Sequence, residues 1–309
     1  MADWYEEPYN RVLDATAEIH IPVKVFTICI IVFKTPPEYR FNSYFTLNVL
    51  VWNFLANCLF AFVHLYPEYP STCFRLDGPL SWFVNNETLG HVMFFLIFIC
   101  IINVTAALAI NFPYRYLVVT SATSLVDTKR TFKICAGLHF ISSLYFVITS
   151  VSWPVSYETY PDHSILPSRE HLFCFYPGSW RKHLPVFGFC AYIATLVILV
   201  FGGIPLLIAV SAMMFTDIPY GQPITLVCII FIANHGTIYS IVTLLMMKSF
   251  RDSLRGIFLV FDRRIRSKCS SVEPSAREMA LSGLRWRSLE DDSVDYEDLP
   301  KDLKVDDLH

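Results

Sequence analysis

The sequence predicts an all-α fold, a polytopic bundle of membrane-spanning helices. Two observations carry that prediction. Only 17% of the 309 residues are charged and 54% are hydrophobic, whereas a soluble domain carries roughly 25% charged residues. The apolar residues also lie in long continuous blocks, without the in–out alternation of a membrane β-barrel. Inside lipid, such a block satisfies its backbone only as a helix.

Segment 17–33 comes first and is the shortest, interrupted by Pro22 and Lys24. The stretch before it, "MADWYEEPYN", is acidic, unlike the basic start of a cleavable signal peptide. Segment 17–33 is therefore expected to act as an uncleaved anchor. Blocks 43–66, 89–111, 132–153 and 223–247 each supply the ~20 apolar residues that cross a ~30 Å hydrocarbon core. Block 184–214 is too long for one crossing and too short for two, which need about 40 residues plus a turn. These spans divide the chain into an extracellular N-terminus (1–16), a helical bundle (17–248), an amphipathic surface helix with a basic segment (249–269) and a disordered acidic cytoplasmic tail (270–309).

Orientation follows from Lys and Arg, which favour the cytoplasmic side of short loops. Loop 34–42 carries Lys34 and Arg40 against Glu38, and loop 112–133 carries Arg115, Lys129, Arg130 and Lys133 against Asp127. Loops 67–88 and 154–183 are balanced or acidic. The N-terminus then lies outside, and the basic stretch from Lys248 to Lys268 lies inside. Between the external loop 154–183 and that internal stretch the sequence offers two apolar segments, an even number where an odd one is needed. Either the tail is outside, or 184–214 dips in and returns with "GGIP" at its turn, or a crossing is missing. The linker "TDIPYGQP" lacks a cation and reads as extracellular. This favours the last option, with 184–214 fusing the start of one helix to the end of another.

Most of the nine cysteines lie inside helices and read as small apolar packing residues. Cys73 and Cys174 are in the two external loops, where an oxidising compartment permits a bridge; the alternative is two unpaired thiols. Asn86 heads the sequon Asn86-Glu87-Thr88, a glycan acceptor if the membrane surface leaves room. Intramembrane polar residues are functional candidates by default. Asn53 and Asn57 share a helix face, Asn103 lies mid-helix, and Asn234, His235 and Thr237 cluster in the last span; interhelical hydrogen bonding is the plainer role for the Asn residues. Lys24, His64, His91 and His235 are candidates for a ligand pocket, with snorkelling or solvated helix ends the plainer reading for Lys24, His64 and His91. Phe250, Leu254, Ile257, Phe258 and Phe261 follow helical spacing and predict a helix lying on the inner leaflet. Cys269 beyond it is a candidate for palmitoylation. Ser288 and Ser293, each followed by acids, are candidates for phosphorylation.

The chain contains no glycine-rich nucleotide loop and no H-E-x-x-H, and its membrane blocks hold almost no acids. Enzyme chemistry, ion-coupled transport, metals, cofactors and nucleic acid are accordingly not expected.

Several stretches resemble the nematode serpentine chemoreceptors of classes H and I, in the Str group of seven-transmembrane receptors. They are "KTPPEYR" after the first helix, "HLYPEYPSTCFRLDG" leaving the second, "NFPYRYLVV" after the third, "GGIPLLIAV", and "IANHGTIYSIVTLLMMKSFRD" in the last helix. The resemblance runs from about residue 18 to 256. It implies a receptor of the seven-transmembrane type with a deletion across helices five and six. "HLPVFGFCAYIATLVILV" is similar to the start of helix five, and "GGIPLLIAVSAMMF" to the end of helix six. It further implies a plasma-membrane receptor, in sensory cilia, that detects a small-molecule ligand and signals to a heterotrimeric G protein. On that reading Arg115, Lys129, Arg130 and Arg251 border the G-protein surface, and Arg115 either meets the G protein or locks an inactive state; a plain positive-inside anchor is its other role. Two rivals are a ligand-gated channel and a truncated, non-signalling form retained in the endoplasmic reticulum.

Overall fold

The computed structural model describes residues 4–37, 40–83, 86–120, 127–161, 172–178, 180–197, 203–214, 218–246, 250–252, 254–256, 259–260 and 262–265. The chain divides into two compact units, Met1–Arg251 and Asp252–His309.

In the first unit, α1 spans Glu6–Lys34. It starts well before the apolar block and takes in most of the segment expected to be a free N-terminus. The reason is one buried stripe: Tyr9, Leu13, His20, Lys24, Thr27 and Ile31 recur three, four or seven residues apart and face the bundle. Glu6 and Glu7 in the first turn favour the positive end of the helix dipole. The Tyr9 hydroxyl donates to the Leu65 carbonyl at 2.9 Å, fastening this end. A search for continuous apolar residues passes over such a stripe, because Arg11, Val12, Asp14 and Ala15 between its members are exposed.

Helix α2 (Arg40–Val63) ends three residues short of its apolar block. His64 takes a left-handed φ of 39° there, and Leu65–Glu68 becomes strand β1. The sharp return requires Gly78: its N–H donates to the Val63 carbonyl at 3.1 Å, and a Cβ at this position would stand 2.5 Å from the Phe62 carbonyl oxygen. Strands β2 (Cys73–Leu76), β3 (Pro154–Val155) and β4 (Leu172–Phe175) complete a sheet in the order β1-β2-β4-β3, all pairs antiparallel. The helical class holds, and the bundle also carries this sheet, which the sequence pattern does not reveal.

Register places Cys73 opposite Cys174 and Phe74 opposite Phe173. The cysteines form a disulfide on one face of the sheet. Phe74, Phe173 and Phe175, on the other face, enter an aromatic core with Phe94, Phe98 and Trp153. The sheet is thus a lid seated on one end of the bundle by its phenylalanines.

Helix α3 (Glu87–Val119) is the central span, packed on α2, α4, α5 and β4. Helix α4 (Thr128–Ser150) begins at Asp127, whose carboxylate caps the Lys129 N–H at 3.0 Å. It buries little and leaves Phe132, Phe140, Ile141 and Ile148 exposed, the surface expected of a helix bordering lipid. Helix α7 (Gly221–Met246) packs on α1, α2 and α6.

The ambiguous block 184–214 forms two packed helices, α5 (Trp180–Val197) and α6 (Gly203–Met214), on either side of 198–202, which lie outside the described residues. Phe187 packs on Phe98 near the sheet, and one turn later Cys190 lines a deeper cavity beside Thr105. Leu206 lines that same deep cavity, whereas Val210 reaches a shallower one beneath Leu65 and Phe74. Helix α5 therefore descends from the sheet end and α6 returns to it. At 18 and 12 residues they are about 27 and 18 Å long, against spans of 21 to 31 residues in the five helices long and apolar enough to cross. The pair takes the form of the alternative in which 184–214 dips in and returns. Among the described residues five helices are long and apolar enough to cross a membrane, and five, an odd number, agrees with the orientation read from the charges.

In the second unit, residues 254–256, 259–260 and 262–265 are helical, with Leu254 half-buried and Leu259, Val260 and Ile265 exposed. Ile257, Phe258, Phe261, Cys269, Ser288, Ser293 and the tail 270–309 lie outside the described residues.

Candidate ligand-binding site

Helices α1, α2 and α7 meet on a buried polar cluster. Lys24 is fully buried and donates to the Asn53 backbone carbonyl at 2.9 Å. Asn57 donates to the Ala233 carbonyl at 3.0 Å, and His20 Nδ1 is paired with the Thr237 hydroxyl. Gly236 allows this convergence: a Cβ there would meet the Asn53 side-chain oxygen and stand 2.6 Å from Lys24 Nζ. Only a residue without a side chain lets α7 approach so closely. Snorkelling does not apply to Lys24. Its position on the buried stripe of α1, three and four residues from Thr27 and His20, points it inward.

Beside the cluster lies a cavity of about 50 Å³, walled by Asn53, Asn57 and His235 together with Phe60, Ile101, Thr105 and Leu206. Asn53 and His235 are 5% and 7% exposed, and Asn53 Nδ2 and His235 Nε2 have no hydrogen-bond partner. An unsatisfied buried polar group costs about 1–3 kcal/mol, so two facing one cavity are a place where a polar guest is stabilised. A second cavity of about 40 Å³ continues from it, sharing Phe60, Ile101, Leu206 and Ile232, and ends against Leu65, Phe74 and Phe94 beneath the sheet. The pair makes an elongated site with one polar and one apolar end.

The four pocket candidates read from the sequence do not share one site. Lys24 and His235 belong to the polar cluster. His64 and His91 are also buried, not solvated, but lie at the sheet end, because the sheet covers the helix ends that the sequence leaves open. His91 Nε2 bonds the Cys174 carbonyl at 2.8 Å, with its ring edge-on to Phe173 and Phe175. His64 Nε2 stands 3.3 Å from the Asp14 carboxylate, close enough for an ion pair but not aligned as a hydrogen bond. Burial holds its pKa below the usual imidazole value, and Asp14 and Asp77 only partly push back. Nearby, burial opposes the charge of Arg75, yet Asp77 at 2.6 Å, Glu68 at 3.2 Å and Glu6 at 2.7 Å raise its pKa further above the normal guanidinium range.

Asn86 is exposed and its side chain accepts from the Thr88 N–H at 2.9 Å at the start of α3. Asn103 donates to Ser143 at 2.8 Å and meets His139, which in turn meets Asn48 at 2.9 Å, tying α2, α3 and α4 together. Toward the end of α3 away from the sheet, Arg115 donates to Asn111 at 3.2 Å and to the Thr46 hydroxyl at 2.9 Å, and Asn111 donates to the Tyr239 hydroxyl at 3.0 Å. Lys129, Arg130 and Arg251 are exposed. Sequence reasoning missed His20, Asn111, His139 and Tyr239. For His20 the signal was present, four residues before Lys24 on one face; the other three need the packing of two or three helices to acquire meaning. Among the described residues no cluster of His, Cys, Asp and Glu could hold a metal ion.

Comparison with known proteins bears on this arrangement. No curated protein matches the chain. The family described as serpentine type 7TM GPCR chemoreceptor Srh matches residues 5–165, which take in α1 to α4 and the strands β1 to β3. As that match covers just over half of the 309 residues, the chain belongs to the Srh family of serpentine chemoreceptors, a multi-pass helical membrane protein of a receptor family.

Proposed function

We propose that this protein is a G-protein-coupled chemosensory receptor of the plasma membrane that binds a small molecule in the paired cavity and signals to a heterotrimeric G protein. The cavity carries the reading: a concave site between helices, apolar for most of its length, with a few convergent polar groups, is the form small-molecule sites usually take. A ligand there touches α2, α3, α5, α6 and α7 at once. Differential affinity for two arrangements of those helices shifts their populations. On this reading Arg115, linked to α2 and through Asn111 to α7, reports such a shift at the opposite end, where Lys129, Arg130 and Arg251 border the G-protein surface.

The test is activation of a co-expressed G-protein sensor by a panel of small molecules, comparing the wild type with Leu206→Phe, which fills both cavities. A response abolished by the substitution with surface expression retained is expected. Ligand-evoked current without any G protein would establish the channel reading instead. The shortness of α5 and α6 favours one second reading, a non-signalling form held in the endoplasmic reticulum, because the chain between their far ends is what a G protein would meet. Absence of the full-length chain from the cell surface would establish it.

A further inference from the structure

The polar end of the cavity is walled by Asn53 on α2 and His235 on α7; Lys24 on α1 does not line it, but hydrogen-bonds the Asn53 backbone carbonyl and stands with the Asn53 side chain against Gly236. Each group has unspent capacity. Asn53 Nδ2 and, in its Nε2–H tautomer, His235 are donors without acceptors. Lys24 Nζ carries three donors, and its hydrogen bond goes to the Asn53 carbonyl. No carboxylate forms an ion pair with Lys24 among the described residues; the ionisable groups around it are His20, Cys58 and His235. A buried ammonium without a counter-charge is costly. The site is therefore donor-rich and short of one negative charge.

Resting on the reading of the cavity as the ligand site, we infer that its ligand is a short-chain carboxylate, held by Asn53 Nδ2 and His235 Nε2 and neutralising Lys24, with its hydrocarbon tail toward Leu65 and Phe74. Two carboxylate oxygens accept from both wall donors. A single cation suits a monoanion; a phosphate dianion would leave excess charge in an apolar surround. A neutral alcohol or ester meets the wall donors but leaves Lys24 uncompensated. The apolar annex selects a tail, and the sheet lid limits its length. Gly236 belongs to the same device, since any side chain there would displace Lys24 and Asn53.

The experiment measures direct binding of hexanoate, 1-hexanol and methyl hexanoate to the purified full-length receptor in lipid nanodiscs, by thermal shift and ligand-observed NMR. Hexanoate is expected to bind at least about tenfold more tightly than 1-hexanol, a difference of ~1.4 kcal/mol. Lys24→Met should remove that preference, and Lys24→Arg should keep part of it. If Lys24→Met fails to fold, His235→Phe in the same comparison decides. Oleate separates a lipid-derived carboxylate from a water-borne one and is expected not to bind; binding as tight as hexanoate would overturn the short-chain assignment. Equal affinity for acid and alcohol, or no hexanoate binding at millimolar concentration, overturns the carboxylate. In that event, other ligands that bind and are lost in Leu206→Phe leave the cavity standing as the receptor site. If ligands bind and Leu206→Phe changes none of them, the cavity reading falls as well.

Discussion

Arg115 on α3 donates to the Thr46 hydroxyl on α2 at 2.9 Å, so its guanidinium is turned toward the neighbouring helix and the residue is half-buried. It is also linked through Asn111 to Tyr239 on α7. An arginine that served only as a positive-inside anchor would have no need of these partners. Thr46→Val removes the receiving oxygen and keeps the shape. Hydrogen bonds of this kind between membrane helices average about 0.6 kcal/mol, so stability should fall only slightly. Ligand-independent activation of the G-protein sensor should rise, because one polar link between α2 and α3 is gone. Unchanged basal signal at equal surface expression would refute the locking role.

Cys73 and Cys174 lie 101 residues apart and close a long covalent loop. Removing such a crosslink typically costs 2–5 kcal/mol, chiefly by freeing the unfolded chain. The double substitution to Ser should lower the melting temperature of the purified receptor and its surface expression. The wild type should migrate differently on gels with and without reductant, and the variant should not.

Phe94 is fully buried and contacts Phe74, Phe98, Phe173, Phe175 and Trp153. Phe94→Ala should cost about 3–5 kcal/mol through lost burial and the void left behind. Because Phe94 joins the lid to the helices, the effect should appear first as faster hydrogen exchange in β2 and β4.

The sheet end should also respond to acid. His64 has its pKa lowered, first by burial, with Asp14 and Asp77 opposing. The folded state therefore prefers neutral His64, and the unfolded chain takes up a proton first. The associated stability is complete above the ordinary imidazole value of about 6.5 and is lost as pH falls through that range. Melting curves from pH 8 to pH 5 should show a decline in the wild type that His64→Gln flattens. A decline of equal size in the variant would place the sensitivity elsewhere.

The helical class was legible because lipid imposes it on any continuous apolar block. Helix starts were less so. Tyr9 and Leu13 draw eleven residues ahead of Ala17 into α1, yet a stripe among exposed Arg11 and Asp14 resembles an acidic leader until its partner surface is known. The sheet escaped notice because its longest strands have four residues, and Leu65 and Tyr66 at the start of β1 continue an apolar helix block without a break. Of the site, Lys24 and His235 were visible as intramembrane polar residues. Their meeting at Gly236 was not, since it depends on the rotation of two helices 200 residues apart in the chain.

Crossing number offers the sharpest remaining test, since it decides between a bundle with an inserted hairpin and one with an inverted tail. Helix α5 leaves the sheet after Tyr176, and α6 returns to the short linker before Tyr220; both tyrosines are exposed. Lys129 lies in the first turn of α4 at the other end of the bundle and is exposed too. Each is replaced singly by Cys, and intact cells are treated with a membrane-impermeant maleimide. Cys at 176 and at 220 should both react, and Cys at 129 should react only after permeabilisation. A full crossing by either α5 or α6 alone would put 176 and 220 on opposite sides, so that only one of them reacts in intact cells. That outcome would move Lys248 and the basic residues after it to the outer face, against the rule that orients every other loop, and would remove the surface on which G-protein coupling depends.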